Sequence, residues 1–164
     1  MSRLAVLLNP TNLSSVSSIQ PLEAAAESMK VKAQRFEARS PNELESAFVA
    51  MKKDRTEGIV VHEDAMLLAN ANTIAGLALK QGLLSSGNTV YAEEGFLFGY
   101  GHNNLELWRR AGYFVHRILN GAKPGDLPVE RPSKFELTVN AKTAKALGVK
   151  TRNSILARAD SVIE

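Results

Sequence analysis

Cysteine does not occur among the 164 residues of the chain, which excludes disulfide frameworks, zinc sites built from thiolates and cysteine nucleophiles. Long apolar runs are also missing, since no stretch approaches the roughly 18 to 20 residues needed to cross a bilayer. Neither the dinucleotide glycine fingerprint nor a glycine-rich loop ending in Gly-Lys-Ser/Thr is present. These absences argue against a membrane span and a nucleotide site, and they leave the compartment open.

Charge of one sign is not concentrated anywhere in the chain. The 20 Lys and Arg residues and the 17 Asp and Glu residues give a net charge of +3, and they are interleaved, as in residues 51–57. No basic stripe suited to phosphate groups results, so the pattern argues against nucleic acid as a partner. The composition, 45% hydrophobic and 23% charged, is ordinary for one globular domain with a real core.

Apolar runs alternate with helical patterns in the first half of the chain. Strands are predicted at residues 4–8, 31–38 and 58–61. The first helix has Val16 among its apolar positions, and it is predicted to begin near residue 17 or 18 because Pro21 is tolerated only in a first turn. The β-α-β-α-β-α order predicts an α/β fold, a parallel β-sheet flanked by helices on both faces, as in a Rossmann-like lobe.

The second half of the chain is less regular. We predict strands at residues 83–86, 96–99 and 135–139, a connector at 124–132, and short helices at 141–147 and 154–163. An amphipathic helix is predicted from Leu107 to Leu119, and its apolar stripe most simply indicates packing on the chain's own core. Gly99 and Gly101 indicate a turn.

Polar side chains follow the predicted strands. Ligands of open parallel sheets bind outside the carboxyl ends of the strands. Hydroxyl and amide groups there suit a carboxylate or a sugar, and Asp64 can pair with a ligand ammonium. The alternative is that these residue types only form turns and helix caps. The predicted ligand-binding residues are Asn9, Thr11, Asn12, Ser14, Ser15, Asp64, Ser86 and Asn88.

No arrangement typical of catalysis or metal binding is found in the sequence. Glu93 and Glu94 are adjacent acids, but sequence neighbours point to different sides of a helix or strand. His62, His102 and His116 lack the spacing of metal ligands. The sequence therefore predicts neither an enzyme nor a metal or cofactor site.

One set of segments stands out: residues 4–12 (LAVLLNPTN), 37–44 (EARSPNEL), 100–101 leading into the 107–119 helix and, as the most specific, the C-terminal segments 118–124, 126–130, 132–137 and 140–148. On these segments the chain resembles the ABC-transporter substrate-binding proteins, which include tryptophan- and tyrosine-binding members, over essentially its whole length. The resemblance implies a type I periplasmic-binding fold, in which two α/β lobes enclose a small-molecule ligand. The chain resembles only the second lobe and the C-terminal part of such a protein. Residues 1–100 correspond to the ligand-binding lobe, and residues 101–164 correspond to return segments that pack on the lobe or on a partner subunit.

The resemblance also implies a role. A family member captures a small polar solute such as an amino acid, performs no chemistry on it and docks on an ABC permease, in the periplasm or at the outer face of a membrane. Because the first lobe is not part of the sequence, we expect a homo-oligomer that covers the apolar side of the 107–119 helix. The start of the chain does not predict a signal peptide. A complete product would then be cytoplasmic, which favours the alternative of a ligand-sensing or regulatory domain.

Overall fold

The computed structural model describes the backbone of the chain and the side chains of residues 1–15 and 19–164. The predicted apolar position at residue 16 lies outside the described side chains. The strands are β1 (Arg3–Leu8), β2 (Lys32–Glu37), β3 (Gly58–Val61), β4 (Leu84–Gly87), β5 (Phe98–His102), β6 (Phe135–Asn140) and β7 (Ser161–Ile163). The helices are α1 (Leu13–Ser28), α2 (Leu44–Lys53), α3 (Ala65–Ala69), α4 (Ala71–Lys80), α5 (Thr89–Glu93), α6 (Asn104–Leu119), α7 (Ala141–Ala146) and α8 (Asn153–Leu156), with short 3-10 turns at Pro41–Glu43 and Pro124–Asp126.

The seven strands form one sheet in the order β2-β1-β3-β4-β5-β6-β7. All neighbouring pairs are parallel except β5 and β6, which are antiparallel. β1 lies between two parallel neighbours, and its residues Ala5 to Leu8 are buried, as expected of an apolar run covered on both faces. The predicted α/β architecture is confirmed.

Helices cover both faces of the sheet. Ala5 and Leu7 point to one face, where they join Phe48 of α2 and Ile74 of α4 in the main core. Val6 points to the opposite face, because side chains alternate along a strand, and packs with Ile19 of α1. Burying one such side chain contributes about 1.5 to 3 kcal/mol. No helix in the described part of the chain has the length and apolar character needed to span a membrane.

Helix α6 does not pack on this core. None of its residues is buried, and Trp108 and Leu119 are 75% and 82% exposed. The helix leaves the sheet at the carboxyl end of β5, and the chain returns along β6. The prediction that its apolar stripe covers the chain's own core is therefore wrong. An amphipathic pattern requires a covering surface, and the folded lobe does not provide it.

Two helix predictions are also corrected. Helix α1 begins at Leu13 rather than near residue 17 or 18, because the Asn12 side chain accepts a hydrogen bond from the Ser14 N–H and caps it, and Pro21 lies inside the helix. The helix predicted at residues 154–163 is instead α8 followed by β7. β7 ends the sheet by pairing with β6, and the Asp160 carboxylate accepts from the Leu137 N–H beside this pairing.

The strand predicted at residues 96–99 lies two residues further along the chain, as β5, and includes both glycines predicted to form a turn. At Gly99 a Cβ atom would lie 2.7 Å from the carbonyl oxygen of Thr89. Glycine at this position therefore permits the first residue of α5 to pack directly on the strand. This contact also fixes the position of Asn88, which precedes α5.

Candidate functional site

The parallel strands β1, β3 and β4 end at one edge of the sheet, and the turns that follow them meet there. We call residues 9–15, 62–64 and 86–88 the rim. All eight predicted ligand-binding residues belong to it. The rim lies where open parallel sheets bind ligands.

Asp64 joins two turns of the rim. One carboxylate oxygen accepts hydrogen bonds from the Met66 and Leu67 N–H groups, at 2.9 and 3.1 Å, and so caps helix α3. The other accepts from the side-chain amides of Asn12 and Asn9, at 2.9 and 3.3 Å. The turn after β1 and the turn after β3 are thus held together by a single buried carboxylate.

The surroundings of Asp64 favour its charged form. Burial alone would raise the pKa of this carboxyl, but the hydrogen bonds from Asn12, Leu67 and the other donors together lower the pKa below its ordinary value. With four donors already bound, the acceptor positions of the carboxylate are largely used within the chain. Asp64 has the contacts of a structural cap, which leaves little capacity for a ligand ammonium.

The other polar residues of the first turn also bond to their own backbone. The Asn9 amide oxygen accepts from the Thr11 N–H and hydroxyl, at 3.1 and 2.7 Å. The Asn12 amide oxygen accepts from the Ser14 N–H and hydroxyl at the same two distances. These are the contacts expected of turn and cap residues, and they fix the shape of this part of the rim.

A hollow of about 310 Å³ opens beside the rim, on the sheet face that α1 partly covers. Val60 of β3 pairs with Ser86 of β4, which pairs with Phe98 of β5, so these strands present neighbouring side chains to that face. The hollow is lined by Leu22, Val60, Val61, His62, Glu63, Ser86, Gly87, Asn88, Tyr100, Gly101 and His102.

The structure divides the predicted site residues into three groups. Ser86 and Asn88 line the hollow. Ser15 is buried behind it, with its hydroxyl 3.2 Å from Nδ1 of His62, which is part of the wall. Asn9, Thr11, Asn12, Ser14 and Asp64 form the hydrogen-bonded turns next to the hollow without lining it.

Sequence reasoning missed four polar residues that line the hollow: His62, Glu63, Tyr100 and His102. Tyr100 and His102 alternate with Gly99 and Gly101 along β5, a period of two that places both side chains on one face. The predicted strand stopped at Gly99, so this signal was not used. Glu63 gave no signal of its own, because Asp64 beside it is an equally plausible carboxylate.

The hollow combines an apolar floor with a few polar groups. Carboxylate, amide, imidazole and hydroxyl groups surround Val60 and Leu22, an arrangement suited to orienting a small polar molecule. Among the described side chains, no three His, Asp or Glu residues lie close enough together to hold a metal ion. Beneath the rim, burial and the negative charges of Asp64 and Glu63 raise the pKa of Tyr91, so its hydroxyl stays neutral.

Comparison with known proteins identifies the family. Residues 1–163 match the family described as ABC transporter substrate binding protein. The chain belongs to this family. None of the curated proteins compared with the sequence matches it significantly.

Solved structures share the fold of this substrate-binding family member. A conserved domain protein from Vibrio cholerae has a TM-score of 0.90 and 24% identity, over 98% of this chain and 54% of that chain. An ABC domain in complex with L-Trp from Streptococcus pneumoniae has a TM-score of 0.88 and 24% identity, over 99% and 56%. The ligand-free, open structure of CD0873, a substrate binding protein with adhesive properties from Clostridium difficile, has a TM-score of 0.74 and 20% identity, over 99% and 54%.

These likenesses cover only part of the larger proteins. The chain spans about half the length of each of the three solved chains. At identities below 25% the likenesses show the fold alone, a mostly parallel sheet flanked by helices.

Proposed function

We propose that the chain is the solute-binding component, in part, of an ABC-type importer, and that it binds a small polar solute such as an amino acid without chemical change. One observation carries the proposal: a hollow at the carboxyl rim of the sheet, in a chain of the substrate-binding family. In this position a solute contacts fixed polar groups on one side and remains open to a second surface on the other.

The proposed mechanism is capture between two lobes. Residues 1–100 supply one wall of the cleft, and a second lobe closes over the hollow when ligand contacts stabilise the closed state. The hydrogen bonds that Asp64 makes to both turns support this role, because they set the shape of the wall before the solute arrives. The closed form then docks on an ABC permease, in the periplasm or at the outer face of a membrane.

Helix α6 supports the presence of a further surface in the working protein. It extends from the end of β5 with its apolar side exposed, including Trp108, Val115 and Leu119. An exposed apolar stripe of this kind marks an interaction surface. For the chain as it stands, we propose that a second copy covers the stripe in a homo-oligomer, and light scattering that shows only monomer at high concentration would contradict this.

Solute binding is tested with the purified chain. Native mass spectrometry detects a solute carried through purification, and ligand-observed NMR against the twenty L-amino acids and a set of simple sugars detects weak binding. Ser86→Trp fills the hollow and is expected to weaken binding at least about tenfold, because the solute loses its contact surface. Ser46→Trp, on the exposed side of α2, is the matched control and is expected to bind as the unchanged chain does. Equal binding by both variants would refute the hollow as the site.

A further inference from the structure

One segment departs from the interleaving of charge in the rest of the chain. Residues 137–159 contain no Asp or Glu, but they contain five basic residues: Lys142, Lys145, Lys150, Arg152 and Arg158. All five side chains are exposed, and none of them forms an ion pair with the described side chains. The expectation that charge of one sign is nowhere concentrated is therefore corrected for this segment.

The five basic residues belong to one connection of the fold. β6 and β7 are parallel neighbours in the sheet, and the chain between them, which includes α7 and α8, forms a single crossover. A crossover between adjacent parallel strands packs back onto one face of the sheet. The five cations therefore lie on the same side of the molecule, and we call them the basic face.

Hydrogen bonds hold the first part of this crossover in place. The Asn140 amide oxygen accepts from the Thr143 N–H at 2.9 Å and caps α7. Thr143 is buried, and its hydroxyl donates to the carbonyl oxygen of Gly95 at 2.8 Å. This side of α7 faces the lobe. Lys142 and Lys145, three residues apart on the helix, are left on its exposed side as neighbours.

Two aliphatic side chains are exposed among the cations of the basic face. Val149 and Leu156 are each 37% exposed, and in sequence they lie between Lys145 and Arg158. An anionic bilayer surface suits this combination, because lipid phosphates attract the cations and the aliphatic groups reach the acyl boundary. Residues 137–159 contain no aromatic residue on which a nucleic-acid base could stack. The composition thus favours a lipid surface over a single-stranded nucleic acid.

The basic face is separate from the hollow. None of its five residues lines the hollow. Because β6 runs antiparallel to β5, α7 begins at the end of the sheet opposite the rim. We propose that the basic face docks on anionic phospholipid headgroups, while the hollow stays open to its solute. This contact goes beyond solute binding and does not depend on it.

The experiment measures sedimentation of the purified chain with lipid vesicles. One set contains phosphatidylcholine and phosphatidylglycerol, and the other contains phosphatidylcholine alone. Binding to the anionic set is expected to be at least about tenfold tighter, because the neutral set offers no net charge to the cations. Raising NaCl from about 0.1 M to about 0.5 M is expected to weaken this binding, because salt screens exposed charges.

A pair of charge-matched variants locates the contact. Each Lys near an anionic bilayer strengthens binding about fivefold, so Lys142→Gln/Lys145→Gln is expected to weaken vesicle binding by about tenfold or more. Lys52→Gln/Lys80→Gln removes the same charge from exposed positions of α2 and α4. This control is expected to bind the anionic vesicles as the unchanged chain does.

Each of the other outcomes would overturn the proposal. If the two variants bind alike, the basic face is not the contact, and if both vesicle sets bind equally, charge does not drive it. A chain that binds no vesicle, with or without binding to a single-stranded DNA oligonucleotide, also contradicts the proposal. Should Lys142→Gln/Lys145→Gln not fold, lysine acetylation of the unchanged chain decides: anionic vesicles must protect Lys142 and Lys145 but not Lys52. Solute binding in the hollow is measured separately and stands or falls on its own.

Discussion

The rim and helix α6 differ in how their side chains are supported. The rim residues Asp64 and Ser15 are buried, and hydrogen bonds reach them from separate segments of the chain. Helix α6 carries the chain's single Trp at 75% exposure and has no buried residue at all. The rim side chains find their hydrogen-bond partners within this chain, whereas α6 presents an apolar surface that the chain itself does not cover.

The contacts that hold α6 are local ones. The Arg110 guanidinium lies 4.2 Å from the centroid of the Tyr113 ring and 5.0 Å from that of Phe114, and it pairs with Glu130 of the following connector. Exposed contacts of this kind contribute little free energy each. The difference teaches that the core of the lobe shapes the walls of the hollow, whereas no residue of α6 is buried in that core.

The largest expected effect comes from a pair of aromatic truncations, one in each region. Phe48→Ala removes a side chain that is 1% exposed and is expected to lower the free energy of unfolding by about 3 to 5 kcal/mol. Trp108→Ala removes a larger ring from α6. It is expected to change the free energy of unfolding by less than about 0.5 kcal/mol at a concentration where the chain is monomeric. Urea unfolding followed by circular dichroism measures both, since the Trp108 variant has no tryptophan fluorescence. If Trp108→Ala lowered the free energy of unfolding nearly as much as Phe48→Ala does, the conclusion that α6 lies outside the core of the lobe would be wrong.

A smaller effect is expected where the rim depends on one carboxylate. Asp64→Ala removes the cap of α3 and leaves the side-chain amides of Asn9 and Asn12 without their acceptor. The expected loss is about 2 to 3 kcal/mol in the free energy of unfolding. Asp126→Ala, an exposed acid in the connector after α6, is the matched control and is expected to stay within about 0.5 kcal/mol of the unchanged chain.

The Asp64 contribution also has a defined pH dependence. Because folding lowers the pKa of Asp64, the charged carboxylate stabilises the folded state fully above its unfolded-state pKa of about 3.9. The contribution is lost as the pH falls below about 4 toward the lower folded-state value. The difference in free energy of unfolding between the unchanged chain and Asp64→Ala is thus expected to narrow below about pH 4. A difference that widens there would refute the conclusion that the charged form of Asp64 stabilises the fold.

The lobe is predictable from the sequence because the local apolar patterns of its strands and helices agree with the parallel sheet that they form together. The apolar run at residues 4–8 can only be a strand buried on both faces, and polar residues after it can only lie at the carboxyl edge. The hollow is less predictable, since its walls come from β3, β4 and β5 together. Whether Glu63 or Asp64 points into it depends on which side chain caps α3, a choice that neighbouring identical charges do not reveal.

The errors in the second half have a common physical origin. Val162 and Ile163 fit a helix end or an edge strand equally well, and pairing with β6, more than twenty residues away, decides between them. The stripe of α6 shows that one face of the helix must be covered, but the pattern is the same whether the cover is the chain's own core or another surface. In both cases the structure is decided by contacts with residues distant in sequence or outside the chain, which the local sequence pattern does not show.

The smallest expected effect sharpens the comparison most, because it uses one substitution in both regions. Gly76 of α4 and Gly112 of α6 lie inside helices, and an added Cβ meets no atom within 4 Å at either position. Alanine at each position is expected to stabilise its helix by about 0.5 to 1 kcal/mol. Gly76→Ala should raise the global free energy of unfolding by this amount, because α4 unfolds with the core. Gly112→Ala should leave the global value unchanged and raise only the local opening free energy of the α6 amides, measured by native-state hydrogen exchange. If Gly112→Ala instead raised global stability as Gly76→Ala does, α6 would be part of the cooperative lobe, and the contrast between a self-supported rim and an uncovered helix would be lost.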